Sequence, residues 1–276
     1  MNTIESKQAQ QAWDLISEGY DQYITTAHEA QFTKKLLKLA GLKPGMDFLD
    51  VAAGSGALSL PAAQMGARVS AVDIAPNMIR LLKARAERNG LHQVNGYVMD
   101  GHNLDFKDNL YDVTGSQFGV MLFPDLPQGL REMVRVTKPD GKVLVIAFQT
   151  PDKVDFLKFF FTALQINIPD FGGLPKDALP FQVADPQILQ QRLEEAGLKE
   201  VQIFKEVLPF RFKSGSELWN SVLNSNPIAV KLTSELTEKQ KSQVQQTLED
   251  MVRAQAGGKE EAILKAALNV GVGKKG

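Results

Sequence analysis

The sequence predicts an α/β fold on an open, mainly parallel sheet, and three observations carry that prediction. Short apolar runs alternate with amphipathic stretches from about residue 43 to 150, as strand–helix units require. A glycine turn, Gly54 and Gly56, follows the first run directly. Acids stand at the carboxyl ends of three successive runs: Asp50, Asp73 and Asp100. In open α/β sheets, ligands gather outside those ends.

The elements follow in order. Residues 9–19 read as a helix, with Trp13, Leu15 and Ile16 on one face, and residues 29–40 as a second, stopped by Gly41. Lys43-Pro-Gly45 is turn chemistry leading into the first strand, where Phe48, Leu49 and Val51 form a buried run. Residues 67–72 are the second strand. Pro76 opens a helix in which Met78, Ile79, Leu82 and Ala86 recur at helical spacing until Gly90. Strands are expected over 94–99, 111–118 and 142–148, with a helix over 127–137 and a turn at Lys138-Pro-Asp-Gly141. The alternation then breaks. Residues 151–183 hold six phenylalanines, among them Phe156, Phe160 and Phe181, and are expected to form a cap. A helix over 185–196, a strand over 201–207, a second mostly helical insertion over 213–262 and a final strand over 266–272 complete the chain.

Composition narrows the function. The 276 residues carry a net charge of −1, with 43% hydrophobic and 23% charged residues, ordinary values for a globular enzyme. No basic face is available for nucleic acid. The absence of cysteine excludes disulfides, thiolate metal sites and cysteine nucleophiles. The polar opening MNTIESKQAQQAW lacks a signal-peptide core, and no run is long enough to span a membrane, so a cytoplasmic protein without a membrane span is expected.

The three acids suggest a ligand. A carboxylate after the second strand can accept two ribose hydroxyls, one after the third an exocyclic adenine amine, and Asp50 an ammonium. Ribose, adenine and an amino-acid head group describe S-adenosylmethionine (SAM) better than a nicotinamide dinucleotide. The dinucleotide fingerprint G-x-G-x-x-G also fails, because its third glycine falls on Ser59.

The stretch Asp50-Val-Ala-Ala-Gly-Ser-Gly56 resembles motif I of the class I SAM-dependent methyltransferases, with Ala52 at a position where that family often has glycine. Val69–Met78 resembles motif II, and Asp100-Gly-His-Asn-Leu-Asp-Phe106 resembles a segment of the ubiquinone/menaquinone-type methyltransferases, with Gly101 and His102 replacing Ala and Glu. Tyr111–Asp125 and Arg135–Lys142 are similar to later motifs of the same small-molecule branch, and Trp13–Asp21 to its amino-terminal element. The resemblance implies a Rossmann-like seven-stranded mixed sheet of order 3-2-1-4-5-7-6, the last strand antiparallel, within a single domain spanning 1–276. Residues 1–42 would be a helical lid, 43–150 the SAM-binding core, and 151–183 and 213–262 cap insertions. It implies SAM contacts from Tyr20, Asp50, Ala52, Gly54, Gly56, Asp73, Ile74, Met78, Asp100, Gly101, His102 and Gln117.

The acceptor is expected to be a small apolar or aromatic molecule under the cap, lined by Phe118, Phe123 and Phe160. No metal is expected. Of His28, His92 and His102, only His102 stands at the ligand edge, and it reads as a cofactor neighbour before it reads as a base. The rival readings are a SAM-binding protein without activity and, more remotely, a nicotinamide oxidoreductase.

Overall fold

A computed structural model describes residues 4–24, 27–173 and 179–276 of the chain, and side chains for all of these except residues 4–5, 23–24 and 27–29. Two helices lead in, α1 (Ile4–Ile24) and α2 (Ala27–Leu39). The alternating half follows as β1 (Asp47–Val51), α3 (Ser59–Gln64), β2 (Arg68–Asp73), α4 (Pro76–Arg88), β3 (Val94–Val98), β4 (Tyr111–Gln117), α5 (Leu126–Val136) and β5 (Thr137–Phe148). The remainder comprises α6 (Asp155–Asn167), α7 (Pro186–Glu195), β6 (Leu198–Phe212), α8 (Gly215–Ser225), α9 (Pro227–Thr233), α10 (Glu238–Ala256) and β7 (Ala262–Lys275).

The seven strands form one sheet of order β3-β2-β1-β4-β5-β7-β6. The first five are parallel, while β7 runs antiparallel to both β5 and β6. This is the Rossmann-like order that the motifs implied. Phe48, Leu49 and Val51 of β1 are buried on both faces of the sheet, as their unbroken apolar run requires. The strand order reverses between β1 and β4, and the crevice at their carboxyl ends becomes the place for a ligand.

Three boundaries differ from the sequence reading. Helix α1 runs for 21 residues, because its flanking polar residues bind neighbouring elements instead of ending it. Lys138–Gly141 lies inside β5 as a local irregularity. Pairing jumps from Tyr111↔Thr137 to Val113↔Lys142, with Asp140 at φ +62°. The largest difference is in β6 and β7, which are 15 and 14 residues long. Their pairing continues from Lys205↔Asn269 to Phe212↔Ala262, beyond Phe148 where β5 ends. This extended hairpin leaves the carboxyl edge of the sheet and carries α8, α9 and α10 at its tip. There Phe160 of α6 shares a core with Trp219, Val244, Leu248 and Leu264, so α6 packs as one body with α8, α10 and the start of β7.

Candidate active site

The site begins at the end of β1, where the chain turns through three left-handed residues: Ala52 (φ +56°), Gly54 (+54°) and Gly56 (+104°). Glycine takes this conformation without cost, whereas alanine is strained there by about 1 kcal/mol. Ala52→Gly should therefore raise the Tm by a few degrees, measured by thermal unfolding, since it relieves strain without removing a hydrogen bond.

Asp73, at the end of β2, fixes that turn. One carboxylate oxygen accepts the Gly54 amide at 2.8 Å and the other the Ala75 amide at 2.9 Å. Each oxygen keeps lone pairs for further donors. The side chain is only 8% exposed, and burial pushes its pKa up to about 6 against the pull of the two amides. Asp100, after β3, is held by His102, whose Nδ1 lies 2.7 Å and whose amide lies 2.9 Å from Oδ1, and it accepts Ser6 Oγ at 3.2 Å. The His102 imidazole beside it, more than any other group, keeps its pKa at about 2. The His102 ring in turn rests on Phe123, with centroids 4.4 Å apart. Phe123 fills the space next to Gly101, where an added Cβ would stand 2.5 Å from the ring.

Asp50 is placed differently. It is 1% exposed, behind the turn, and Oδ2 accepts Ser59 Oγ at 2.6 Å. Among the described residues its Oδ1 has no partner, nor does the buried Ser55 hydroxyl. Burial, with Asp73 nearby, pushes its pKa up to about 7. Gly56 likewise faces inward, where a Cβ would meet Leu60 at 3.1 Å.

The two raised carboxyls set the pH dependence of the ligand-free protein. Both bind protons more tightly when folded than when unfolded, so the stability they contribute is full below pH ~4 and is lost as pH rises through 6 and 7. The ligand-free Tm should accordingly be higher at pH ~6 than at pH ~8, read by calorimetry.

Two cavities open at this edge. The smaller, about 320 Å³, is lined by Tyr20, Ala52, Gly54, Asp73, Ile74, Met78, Asp100, Gly101, His102 and Gln117, together with Phe118 and Phe123. Asp50 and Gly56 do not reach its wall. The larger, about 580 Å³, is lined by Phe118, Phe148, Phe156, Phe160, Phe161 and Phe181 among others. Phe123 is absent from its wall, so of the expected acceptor residues it sits in the smaller cavity alone. The two cavities share Ala9, Trp13, Tyr20, Gln117, Phe118, Leu122 and Pro124. Phe118 holds a left-handed φ of +57° and stacks on Phe148 at 4.2 Å with an 8° tilt. Such a conformation is costly for a bulky residue and persists only where its surroundings fix it.

Helix α1 supplies a wall to both cavities and is bound along α4. Gln10 Nε2 donates to the Ile74 carbonyl at 2.9 Å, and Asp14 Oδ1 accepts the Asn77 amide at 2.8 Å. Asp14 thereby caps α4, whose own cap residue, Ala75, has no side-chain acceptor. Arg85 pairs with Asp21 at 2.6 Å and Arg80 with Glu18. Sequence reasoning missed Ser6, Ala9 and Trp13 as wall residues. The seven-residue spacing of Trp13 and Tyr20, which places both on one helix face, was the available signal. His92 is exposed, and the side chains of Tyr23 and His28 lie outside the described residues.

Residues 1–206 match the ubiE/COQ5 methyltransferase family. An uncharacterized protein of Mycobacterium tuberculosis is 41% identical over 113 residues, which is 41% of this chain and 41% of that protein. The chain thus aligns with only about two fifths of the length of that relative. A demethylmenaquinone methyltransferase of Bacillus mycoides is 29% identical over 230 residues, covering 77% of this chain and 94% of that one. The structure of Haemonchus contortus phosphoethanolamine N-methyltransferase 2 with S-adenosyl-L-methionine superposes with a TM-score of 0.55 at 15% identity, covering 89% of this chain and 52% of that one, a likeness of fold. With its sheet order, glycine turn and acids in register, the chain belongs to the ubiE/COQ5 methyltransferase family, a family of class I SAM-dependent methyltransferases.

Proposed function

We propose that this chain moves the methyl group of SAM to a flat, apolar ring compound of quinol type held in the larger cavity. The observation that carries the reading is the pair of adjoining cavities. One is edged by carboxylates and glycine backbone, the other is walled by phenylalanine, and Tyr20, Gln117 and Phe118 lie between them.

The smaller cavity fits SAM on the chemistry of its wall. Asp73 is oriented by two amides and keeps acceptor capacity for the ribose hydroxyls. Asp100, with the Gly101–His102 backbone, faces the adenine amine, and Ile74 and Met78 offer apolar cover for the ring. Gly54 leaves room that a side chain would fill, since a Cβ there would stand 3.1 Å from Tyr20. Tyr20 and Gln117 lie toward the larger cavity, where the methionine end would be. SAM supplies an activated methyl on a sulfonium, and the protein's work is to align an acceptor with it and exclude water. Asp50 and Gly56 support this site from behind: Asp50 holds Ser59 at the start of α3, and Gly56 allows the turn to pack on Leu60 and Leu82.

On this reading α1, with the rest of residues 1–42, is the lid, and segments 151–183 and 213–262 are the acceptor cap. Phe118, stacked on Phe148, is the platform for a planar ring, and Phe160 (0% exposed) shapes the cavity from beneath. The demethylmenaquinone methyltransferase relative supports a quinol as acceptor class. The test is SAM-dependent turnover of a small-molecule panel that includes naphthohydroquinones, with products identified by mass. A ring compound gaining one methyl group is the expected result. SAM binding with turnover only of polar, non-aromatic acceptors would overturn the reading, and binding with no turnover at all would favour a SAM-binding protein without activity.

A further inference from the structure

Three aromatic rings stand on the wall that the two cavities share: Trp13 and Tyr20 from α1, and Phe118 just past β4. Trp13 and Tyr20 meet edge to face, their centroids 5.9 Å apart and their planes at 89°, so the pair forms a corner. The Tyr20 ring covers the glycine turn, its Cε1 lying 3.1 Å from where a Gly54 Cβ would be. Phe118 is fixed from the sheet. Its amide donates to the Ile146 carbonyl at 2.9 Å, and one face of its ring is committed to Phe148. The left-handed backbone of Phe118 makes this placement costly, and strained residues of this kind gather at ligand clamps and active sites. Glycine would make the same turn without that cost, so the ring is what the strain retains.

We infer that Trp13, Tyr20 and the face of Phe118 turned away from Phe148 form an aromatic cage for the sulfonium of SAM. The cage makes the protein prefer the charged methyl donor to the neutral thioether left after transfer. The inference rests on the reading of the smaller cavity as the SAM site and the larger as the acceptor site. With the ribose at Asp73 and the adenine toward Asp100, the sulfonium reaches the junction, because its methyl must face the larger cavity. The face of an aromatic ring carries negative potential and attracts a cation within about 6 Å of its centroid. That attraction strengthens as water is excluded, and all three rings are half-buried. Transfer removes it. The methyl carbon bonds to the acceptor, the carbon–sulfur bond breaks with its electron pair left on sulfur, and S-adenosylhomocysteine (SAH) has no charge there for the rings to hold. Asp73 and Asp100 also favour a cation from a distance, and a change confined to the ring electrons separates the two sources.

The test is calorimetric titration of the full chain with SAM, with SAH and with sinefungin, which carries an ammonium group in place of the sulfonium. The wild-type protein should bind SAM and sinefungin at least about tenfold more tightly than SAH. Pentafluorophenylalanine placed at Phe118 keeps the size of the ring and its stack on Phe148 but reverses the charge on its face. This protein should bind SAM and SAH within about threefold of each other, entirely through weaker SAM binding. Its SAH affinity, unchanged within about twofold, reports that the site is still folded. Tyr20→Phe keeps a ring and should keep the preference, whereas Trp13→Leu should lose part of it. A wild-type protein that binds SAH as tightly as SAM would overturn the inference. So would a fluorinated protein that keeps the full preference, or one that loses affinity for SAM and SAH equally. In each of those cases the cofactor reading stands, because both nucleosides bind. Binding of neither SAM nor SAH to the wild-type protein would overturn both readings.

Discussion

Replacing Asp73 with alanine should weaken SAM binding about 100-fold, measured by calorimetric titration. Two charge-assisted hydrogen bonds of about 1.5 kcal/mol each account for that factor. The structure adds a reason for the loss to be this large. The carboxylate also holds the Gly54 and Ala75 amides, so its removal loosens the glycine turn as well as the ribose contact. Asp73→Asn is the milder change, because it preserves the shape of the side chain and its one oxygen can still accept one of the Gly54 and Ala75 amides. It should retain the fold by circular dichroism and still lose most of the affinity. An unchanged dissociation constant in both variants would remove Asp73 from the cofactor site. Affinity for SAM in the wild-type protein should also fall below pH ~6, as Asp73 takes up its proton and stops accepting from both hydroxyls.

Gly215→Val should have a comparable effect on the other half of the site. Gly215 opens α8 and donates its amide to Glu249 of α10 at 2.7 Å. A Cβ there would stand 2.1 Å from the Glu249 backbone nitrogen and 2.5 Å from its Cα, contacts that no rotamer can relieve. The helices must separate, at a cost of about 3 kcal/mol or more, seen as a drop in Tm on the order of 10 °C. Because α8 contributes Ser221, Val222 and Ser225 to the larger cavity and nothing to the wall of the smaller, acceptor turnover should fall at least about tenfold while SAM affinity changes by less than about threefold. Equal losses in both measurements would show that the helical tip and the sheet edge do not act separately. This substitution is a cleaner probe of the cap than deleting residues 151–183, since Phe160 of α6 lies in the same core as Trp219 and Leu248.

The sheet and much of the smaller cavity were legible in the sequence because their signals are local. A buried strand needs an apolar run such as Phe48–Leu49, a left-handed turn favours residues such as Gly54 and Gly56, and an acid at a strand end is unusual enough to mark Asp73 and Asp100. The same reasoning did not show that the Asp50 carboxyl is buried behind the turn, because being next to a turn in sequence does not reveal which way a side chain faces. Phe123 was expected beside the acceptor and packs on His102, a pairing across 21 residues that no periodicity encodes. The extra length of β6 and β7 was hidden for a related reason. Lys199, Arg211, Lys265 and Lys274 in the added lengths are charged, and their strand conformation comes from pairing across the hairpin, not from their own propensity.

Helix α1 touches both cavities, and this makes their contents thermodynamically linked. Its hold on α4 runs through Gln10, Asp14 and Asp21, and its inner face presents Trp13 and Tyr20 to whatever lies on either side of Phe118. A molecule that fills one cavity and orders this helix relieves the next molecule of that ordering cost, so the second binds more tightly than it would alone. Reciprocity requires the enhancement to be equal in both directions. Donor and acceptor should therefore bind with positive cooperativity through a single shared helix, and the coupling factor measured from either side should be the same.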